Sequence, residues 1–401
     1  MDNVKREVYL KRLRPFYNSE MIKVITGMRR AGKSVLMLQI IEELKEQGIS
    51  KDNIIYINLE NFENRKLLQD VELFKYIKDK LINKKKYFIF IDEIQNVKGF
   101  ERVINSFRST NNCSIFITGS NSTLLSGELA TLLSGRIVNF NILPFKFSEF
   151  LEFNKKSKKS KDQLLDEYFK WGGIPLVCKI AEDSKYNVLE SIYSTIVLRD
   201  IINRTNTKSV ISLEKVIDFL IANSAKTISG TNISKVLNSN GFKVSTPSVY
   251  EYINNIVNSC IIDKVPRYDI RGKKILSFEE KVYVKDLGFF NLKKDKISKE
   301  AGALVETVVY NELIARGYKI YVGKTYKGEV DFIVENKDER FYIQACYLLS
   351  DEKIVQREFG AYNNITNNYP KYVISMDKIL INRDGIIHKN LIDFLLEIDK
   401  S

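Results

Sequence analysis

Through its first 150 residues the chain repeats one pattern: a run of apolar, β-branched residues, a polar turn, then apolar positions at helical spacing. The runs are "MIKVIT" (21–26), "NIIYINLE" (53–60), "YFIFIDE" (87–93), "CSIFITGS" (113–120) and "RIVNF" (136–140). Unbroken apolar runs of this kind, with helices between them, predict strands buried on both faces of a parallel sheet. In such a sheet, ligands gather at the C-terminal ends of the strands.

Beyond this core the pattern changes. Residues 151–204 read as helices around a solvated basic loop, "NKKSKKSK" (154–161), and a Gly-Gly-x-Pro turn, "WGGIP" (171–175). From 205 to 292 come three helical stretches, the third with Thr246 as N-cap and Pro247 at its first position. Two strands follow, "CIIDKVPRYD" and "KKILSFEEKVYV", joined through "IRGK". Three helices and a β-hairpin predict a winged helix-turn-helix. From 293 to 401 a helix, three strands, a helix near 351–362 and another strand predict a further α/β domain. The chain therefore reads as four segments, 1–150, 151–204, 205–292 and 293–401.

Chemistry enters at the first turn. Gly27 to Ser34 spell G-x-x-x-x-G-K-S between a strand and a helix that Gly48 can end, which is the context a P-loop requires. The glycines let backbone N–H groups wrap phosphate, the helix N-terminus adds its dipole, Lys33 reaches the β/γ oxygens and Ser34 is placed to ligate Mg²⁺. Gly27, Arg29, Arg30, Ala31, Gly32, Lys33, Ser34 and Val35 are thus the expected ATP-binding residues. The strand "YFIFIDE" supplies the other half. Asp92 would hold Mg²⁺, and Glu93 would orient or deprotonate the attacking water. Ser120 or Asn121, after "CSIFITG", falls where a polar group could sense the γ-phosphate, and capping a helix would place them equally well. Arg136 could serve as a finger toward a neighbouring copy, implying a homo-oligomer, or act in cis as a structural or Walker-site arginine. "NKDE" (336–339) has Glu339 where a guanine-reading motif needs aspartate, so it reads as a surface turn.

Charge and composition narrow the partners. The formal charge of +13 favours a polyanion such as DNA, although frequent lysine, asparagine, isoleucine and tyrosine can also follow from codon usage alone. Across 201–300 there are 17 lysines and arginines against 10 acidic residues. Arg267, Arg271, Lys273 and Lys274 in the hairpin are where a wing would touch phosphates. The third helix offers Tyr250, Asn254, Asn255 and Asn258 but no arginine, so any contact should be to backbone rather than base edges. Four scattered cysteines support neither disulfides nor a zinc site, and the single histidine, His388, removes most histidine chemistry. With no secretory or membrane-length apolar run, the expectation is a cytoplasmic protein without membrane contact.

In the last third, Glu306 on a helix and Asp331 on a strand are followed by Gln344 and Cys346. Together with "GMRRAGKS", "FIDEIQNV", "TGSNSTLLSGELATLLSGR" and "WGGIP", these residues give a chain that resembles the prokaryotic AAA+-superfamily ATPases carrying a restriction-endonuclease-like C-terminal domain. That resemblance implies a P-loop core, a helical lid, a winged helix and a PD-(D/E)XK fold. Such a nuclease gathers carboxylates on Mg²⁺ and adds a lysine. Glu306 and Asp331 match, whereas Gln344 lacks the ligand charge and Cys346 lacks the cation, so the site reads as degenerate. Lys353 is the nearby lysine that could take over the role. The leading expectation is an Mg²⁺-dependent ATPase coupled to nucleic acid. The rivals are an ATP-driven switch acting on a protein partner and an ATP-gated nuclease.

Overall fold

The computed structural model describes residues 4–110, 112–121, 135–202, 209–293, 301–326 and 328–397. Most of "STLLSGELATLLSGR" and the expected boundary at 204/205 lie outside the described residues. The chain divides into two compact units, one built on residues 3–142 and the other on 143–257 and 261–401.

In the first unit, β1 (Ile22–Thr26), β2 (Ile54–Asn58), β3 (Tyr87–Asp92), β4 (Cys113–Gly119) and β5 (Ile137–Asn141) form one parallel sheet in the order β2-β3-β4-β1-β5. The apolar runs become strands because both faces are covered: every residue of β1, β3 and β4 is buried. Alternate residues Ile22, Val24, Ile89, Ile91, Ile115 and Ile117 share one core cluster with Leu73 and Ile77 of the helix Asp70–Lys80 and with Ile104 and Phe107 of the helix Phe100–Thr110. Each such side chain contributes about 1.5–3 kcal/mol on burial. The order puts β1 and β3 on either side of β4, so the loops leaving these three strands converge at one edge.

The second unit begins with the helices Phe147–Phe153, Lys161–Trp171, Pro175–Cys178 and Glu182–Thr195. Three more helices follow, Val210–Ala222, Gly230–Ser239 and Thr246–Asn258, in the order the sequence predicts. Strands β6 (Lys226–Thr227), β7 (Ile262–Asp269), β8 (Lys274–Val284), β9 (Lys319–Lys324), β10 (Glu329–Glu335), β11 (Arg340–Ala345), β12 (Lys371–Ser375) and β13 (Ile387–Asn390) form one sheet, ordered β13-β12-β11-β10-β9-β7-β8-β6. The β7–β8 hairpin is thus part of a larger sheet. Its strand β7 pairs in parallel with β9, Arg267 opposite Val322 and Asp269 opposite Lys324. One sheet therefore joins strands on both sides of residue 292, through a backbone pairing between distant strands that leaves no trace in local periodicity.

The Gly-Gly turn has a steric origin. Gly172 ends the helix Lys161–Trp171 at φ +72, and a Cβ there would lie 1.9 Å from Asp286 Oδ1. Asp286 accepts from the Gly173 N–H (2.8 Å) and caps the helix Leu287–Leu292 through the Gly288 N–H (2.9 Å). Burial of this carboxyl raises its pKa to about 7. Among the described residues no helix is long and apolar enough to cross a membrane.

Candidate functional site

β1 ends at Thr26, and the chain turns at Gly27 because only glycine fits: φ is +146 and a Cβ would sit 2.2 Å from the Ile142 carbonyl oxygen. Gly32, at φ +99, opens the helix Lys33–Glu46 with no side-chain cap, which leaves the first N–H groups turned toward the loop. Lys33 is buried, and its Nζ donates to the Gly27 and Met28 carbonyls, each at 3.1 Å. Arg30 is exposed at φ +67, Val35 is exposed, and Arg29 pairs with Glu60 at 3.0 Å.

Asp92 and Glu93 arrive at the C-terminal end of β3, as the sequence predicts, and each is held by groups the sequence did not reveal. The Thr118 hydroxyl donates to Asp92 Oδ1, and the Tyr56 hydroxyl reaches Asp92 Oδ2 at 3.3 Å. Thr118 also accepts the Glu93 backbone N–H at 2.9 Å. Glu93 sits in the left-handed region at φ +57, which directs its side chain to 3.6 Å from Lys33 Nζ. Burial raises the Glu93 pKa, but Lys33, Gln95, Arg29 and Ser120 together outweigh it, so the carboxyl stays below its ordinary range and is charged at neutral pH. Ser120 and Asn121 are buried just beyond β4, with Ser120 hydrogen-bonded to Glu93.

Arg136 lies elsewhere. It precedes β5, whose Ile137 pairs with Ile22 at the start of β1, whereas the phosphate loop follows Thr26 at the other end. The four residue steps from Ile22 to Thr26 span about 13 Å. Arg136 NH1 faces Asn105 at 3.5 Å instead. A parallel sheet puts the start of β5 on the edge opposite the loop, so within its own chain Arg136 stands away from the phosphate loop. Arg6 was missed altogether. Buried at 1% exposure, it donates from NH1 to the Ala31 carbonyl at 2.9 Å, while Gln39 accepts its backbone N–H. An arginine just before the first helix gives no sequence signal of this contact.

These groups fit a nucleoside triphosphate with Mg²⁺. The glycine cradle would receive phosphate oxygens, Ser34 and Asp92 would hold the cation, and the bound ion would supply charge neutralisation of the phosphoryl group.

In the second unit, Arg271, Lys273 and Lys274 are exposed at the hairpin tip, while Arg267 is drawn into an ion pair with Glu329 at 3.0 Å. Glu306, Asp331, Gln344 and Cys346 do come together, lining a cavity of about 520 Å³ with Arg357 and Glu358. Cys346 packs in the apolar core beside Val330 and Phe359, and burial pushes its thiol well above the usual range. Gln344 Oε1 accepts the Asp331 N–H at 3.1 Å. Lys353 is exposed on the helix Glu352–Gly360 and is not among the lining residues.

Comparison with known proteins places the first unit. A family model described as "AAA domain" matches residues 19–151, and one described as a domain of unknown function, DUF8612, matches residues 162–299. The fold resembles that of a Walker-type ATPase from Pyrococcus abyssi, with a TM-score of 0.54 at 16% identity over 73% of this chain and 96% of that one. An uncharacterised protein of Methanocaldococcus jannaschii is 32% identical over 91% of this chain and 83% of its own length. An uncharacterised protein of Haemophilus influenzae is 37% identical over 98% of this chain and 99% of its own length. The parallel sheet, the phosphate loop and these similarities carry one conclusion: the chain belongs to the same family as the Haemophilus and Methanocaldococcus proteins, a family with an AAA-type ATPase domain at its N-terminal end.

Proposed function

We propose that the protein binds ATP with Mg²⁺ and hydrolyses it at the edge formed by β1, β3 and β4. The observation that carries this reading is Glu93, a buried carboxylate kept charged and held 3.6 Å from Lys33, on the strand end that also presents Asp92. Lys33 binds the β/γ oxygens, Ser34 and Asp92 hold the ion, Glu93 orients and deprotonates water, and Ser120 keeps Glu93 in place. The test is a pair of variants. Lys33→Ala should lose nucleotide binding, whereas Glu93→Gln should bind ATP and lose turnover by about 100-fold or more. Equal turnover in Glu93→Gln and wild type would overturn the assignment.

Turnover is coupled to nucleic acid through the hairpin tip in the same proposal. The supporting observation is that Arg271, Lys273, Lys274 and Lys324 are exposed together around the turn that Asp269 closes through the N–H groups of Arg271 and Gly272. Contacts of this type are made to phosphates and carry little sequence preference. In this reading the three helices and hairpin act as a winged helix, and Arg136 reaches the site of a neighbouring copy. Duplex DNA should raise the ATPase rate at low salt. A rate indifferent to DNA would leave the ATPase assignment standing and remove the coupling.

A further inference from the structure

The carboxylate cluster in the second unit already contains a cation. Lys281, on β8, points its Nζ at Glu306 Oε1 (2.6 Å), Glu329 Oε1 (2.9 Å) and Asp331 Oδ1 (3.3 Å). An ammonium has three N–H donors, and here each meets a different carboxylate. The side chain is 6% exposed, and the three acids come from the helix Ala301–Arg316 and from β10.

We propose that Lys281 is the resident cation of this site, a tethered ammonium that stands where a metal-dependent centre would hold its ion and turns it into a structural junction between the hairpin and the C-terminal strands. Three observations carry this. The donors of Lys281 are all committed inside the protein, so none is left to meet a substrate phosphate. Arg267 adds a second cation on Glu329 Oε2 at 3.0 Å, and Asp331 Oδ2 accepts the Ala345 N–H at 2.9 Å, so with the Lys281 contacts both oxygens of Glu329 and of Asp331, and Oε1 of Glu306, are engaged. Among the described residues, no three acidic, histidine or cysteine side chains are arranged to hold a metal ion.

Burial lowers the Lys281 pKa, but Glu306, Asp331 and Glu329 more than reverse this and keep it charged. Burial and Asp331 raise Glu306 to about 8, against the pull of Lys281. Two cations, Lys281 and Arg267, thus sit among the three acids at the place a divalent ion would have to enter.

The test is Mn²⁺ binding to the full chain without nucleotide, followed by calorimetry and electron paramagnetic resonance, with Asp331→Asn assigning the site. Wild type should show no uptake that Asp331→Asn removes. Lys281→Met should gain one Asp331-dependent equivalent, while Lys281→Arg, which keeps a cation, should gain none. Asp331-dependent Mn²⁺ binding by wild type would overturn the proposal, and this arm needs no variant at Lys281 to fold. A folded Lys281→Met that gains no Mn²⁺ would overturn it as well. Neither result depends on the ATPase assignment.

Discussion

The Thr118 hydroxyl joins the two acidic residues of the proposed nucleotide site, donating to Asp92 Oδ1 while accepting the backbone N–H of Glu93. Removing a hydrogen-bond partner behind a metal ligand typically costs about 10–100-fold. Thr118→Val, which keeps the shape, should therefore lower ATP turnover by about that factor and raise the Mg²⁺ concentration needed. Steady-state rates across a Mg²⁺ titration measure this, and a rate within twofold of wild type would sink the role.

Arg6 acts on the loop from outside it. Loss of its bond to the Ala31 carbonyl should loosen the phosphate cradle, so Arg6→Ala should weaken ATP binding by about tenfold, the scale of one charged hydrogen bond. Arg6→Lys should restore part of it. Fluorescent-nucleotide titration distinguishes the three proteins, and unchanged affinity in Arg6→Ala would count against the contact.

Gly172 and Gly241 both have positive φ, but only Gly172 is crowded: a Cβ at Gly241 meets nothing within 4 Å. Gly241→Ala should cost roughly 1–2 kcal/mol from backbone strain alone. Gly172→Ala must also displace Asp286 and should cost about 3 kcal/mol or more. Trp171 is the sole tryptophan and adjoins the turn, so its fluorescence during thermal unfolding reads the difference directly. Equal shifts would refute the steric account.

Asp286 makes stability depend on pH with a defined sign. Its folded pKa of about 7 lies above the ordinary value of 3.8, so the folded state holds its proton more tightly than the unfolded chain does. The contribution is present in full below the unfolded pKa and is lost as pH rises through the window up to about 7, at about 1.4 kcal/mol per unit. Glu306 acts in the same direction up to about 8. Denaturant unfolding followed at Trp171 should show stability falling from pH 4 to 7. Asp286→Asn should flatten that slope, and an unchanged slope would assign it to other groups.

At the hairpin tip, replacing Arg271, Lys273 and Lys274 by alanine should abolish DNA-stimulated turnover while leaving the basal rate intact. It should also make the dependence of DNA affinity on salt shallower by about 2–3 in log–log slope. Fluorescence anisotropy at several salt concentrations tests both, and an unaltered slope would place the contact elsewhere.

Much of the nucleotide site was legible because its chemistry is local. Glycines at fixed spacing, a lysine at a helix start and two acids at a strand end are consequences of backbone geometry over a few residues, and the sequence alone marked Gly27, Lys33, Ser34, Asp92 and Glu93 as the candidates. The buried parallel strands were equally plain, since unbroken apolar runs need both faces covered. What brings Thr118 and Tyr56 to Asp92 is the strand order, which periodicity does not encode.

The second unit shows the same limit more sharply. The sequence determined that Gln344 and Cys346 lack the charges of a metal site, and it supplied Glu306 and Asp331 as the acids that remain. Lys281 lies 50 residues before Asp331 on a different strand, and only the pairing of β7 with β9 carries its ammonium into the cluster. Local spacing records what a backbone does within one turn or one strand. Which side chains meet across a sheet is settled by long-range pairing and burial, and for this protein that is what decided where the missing cation comes from.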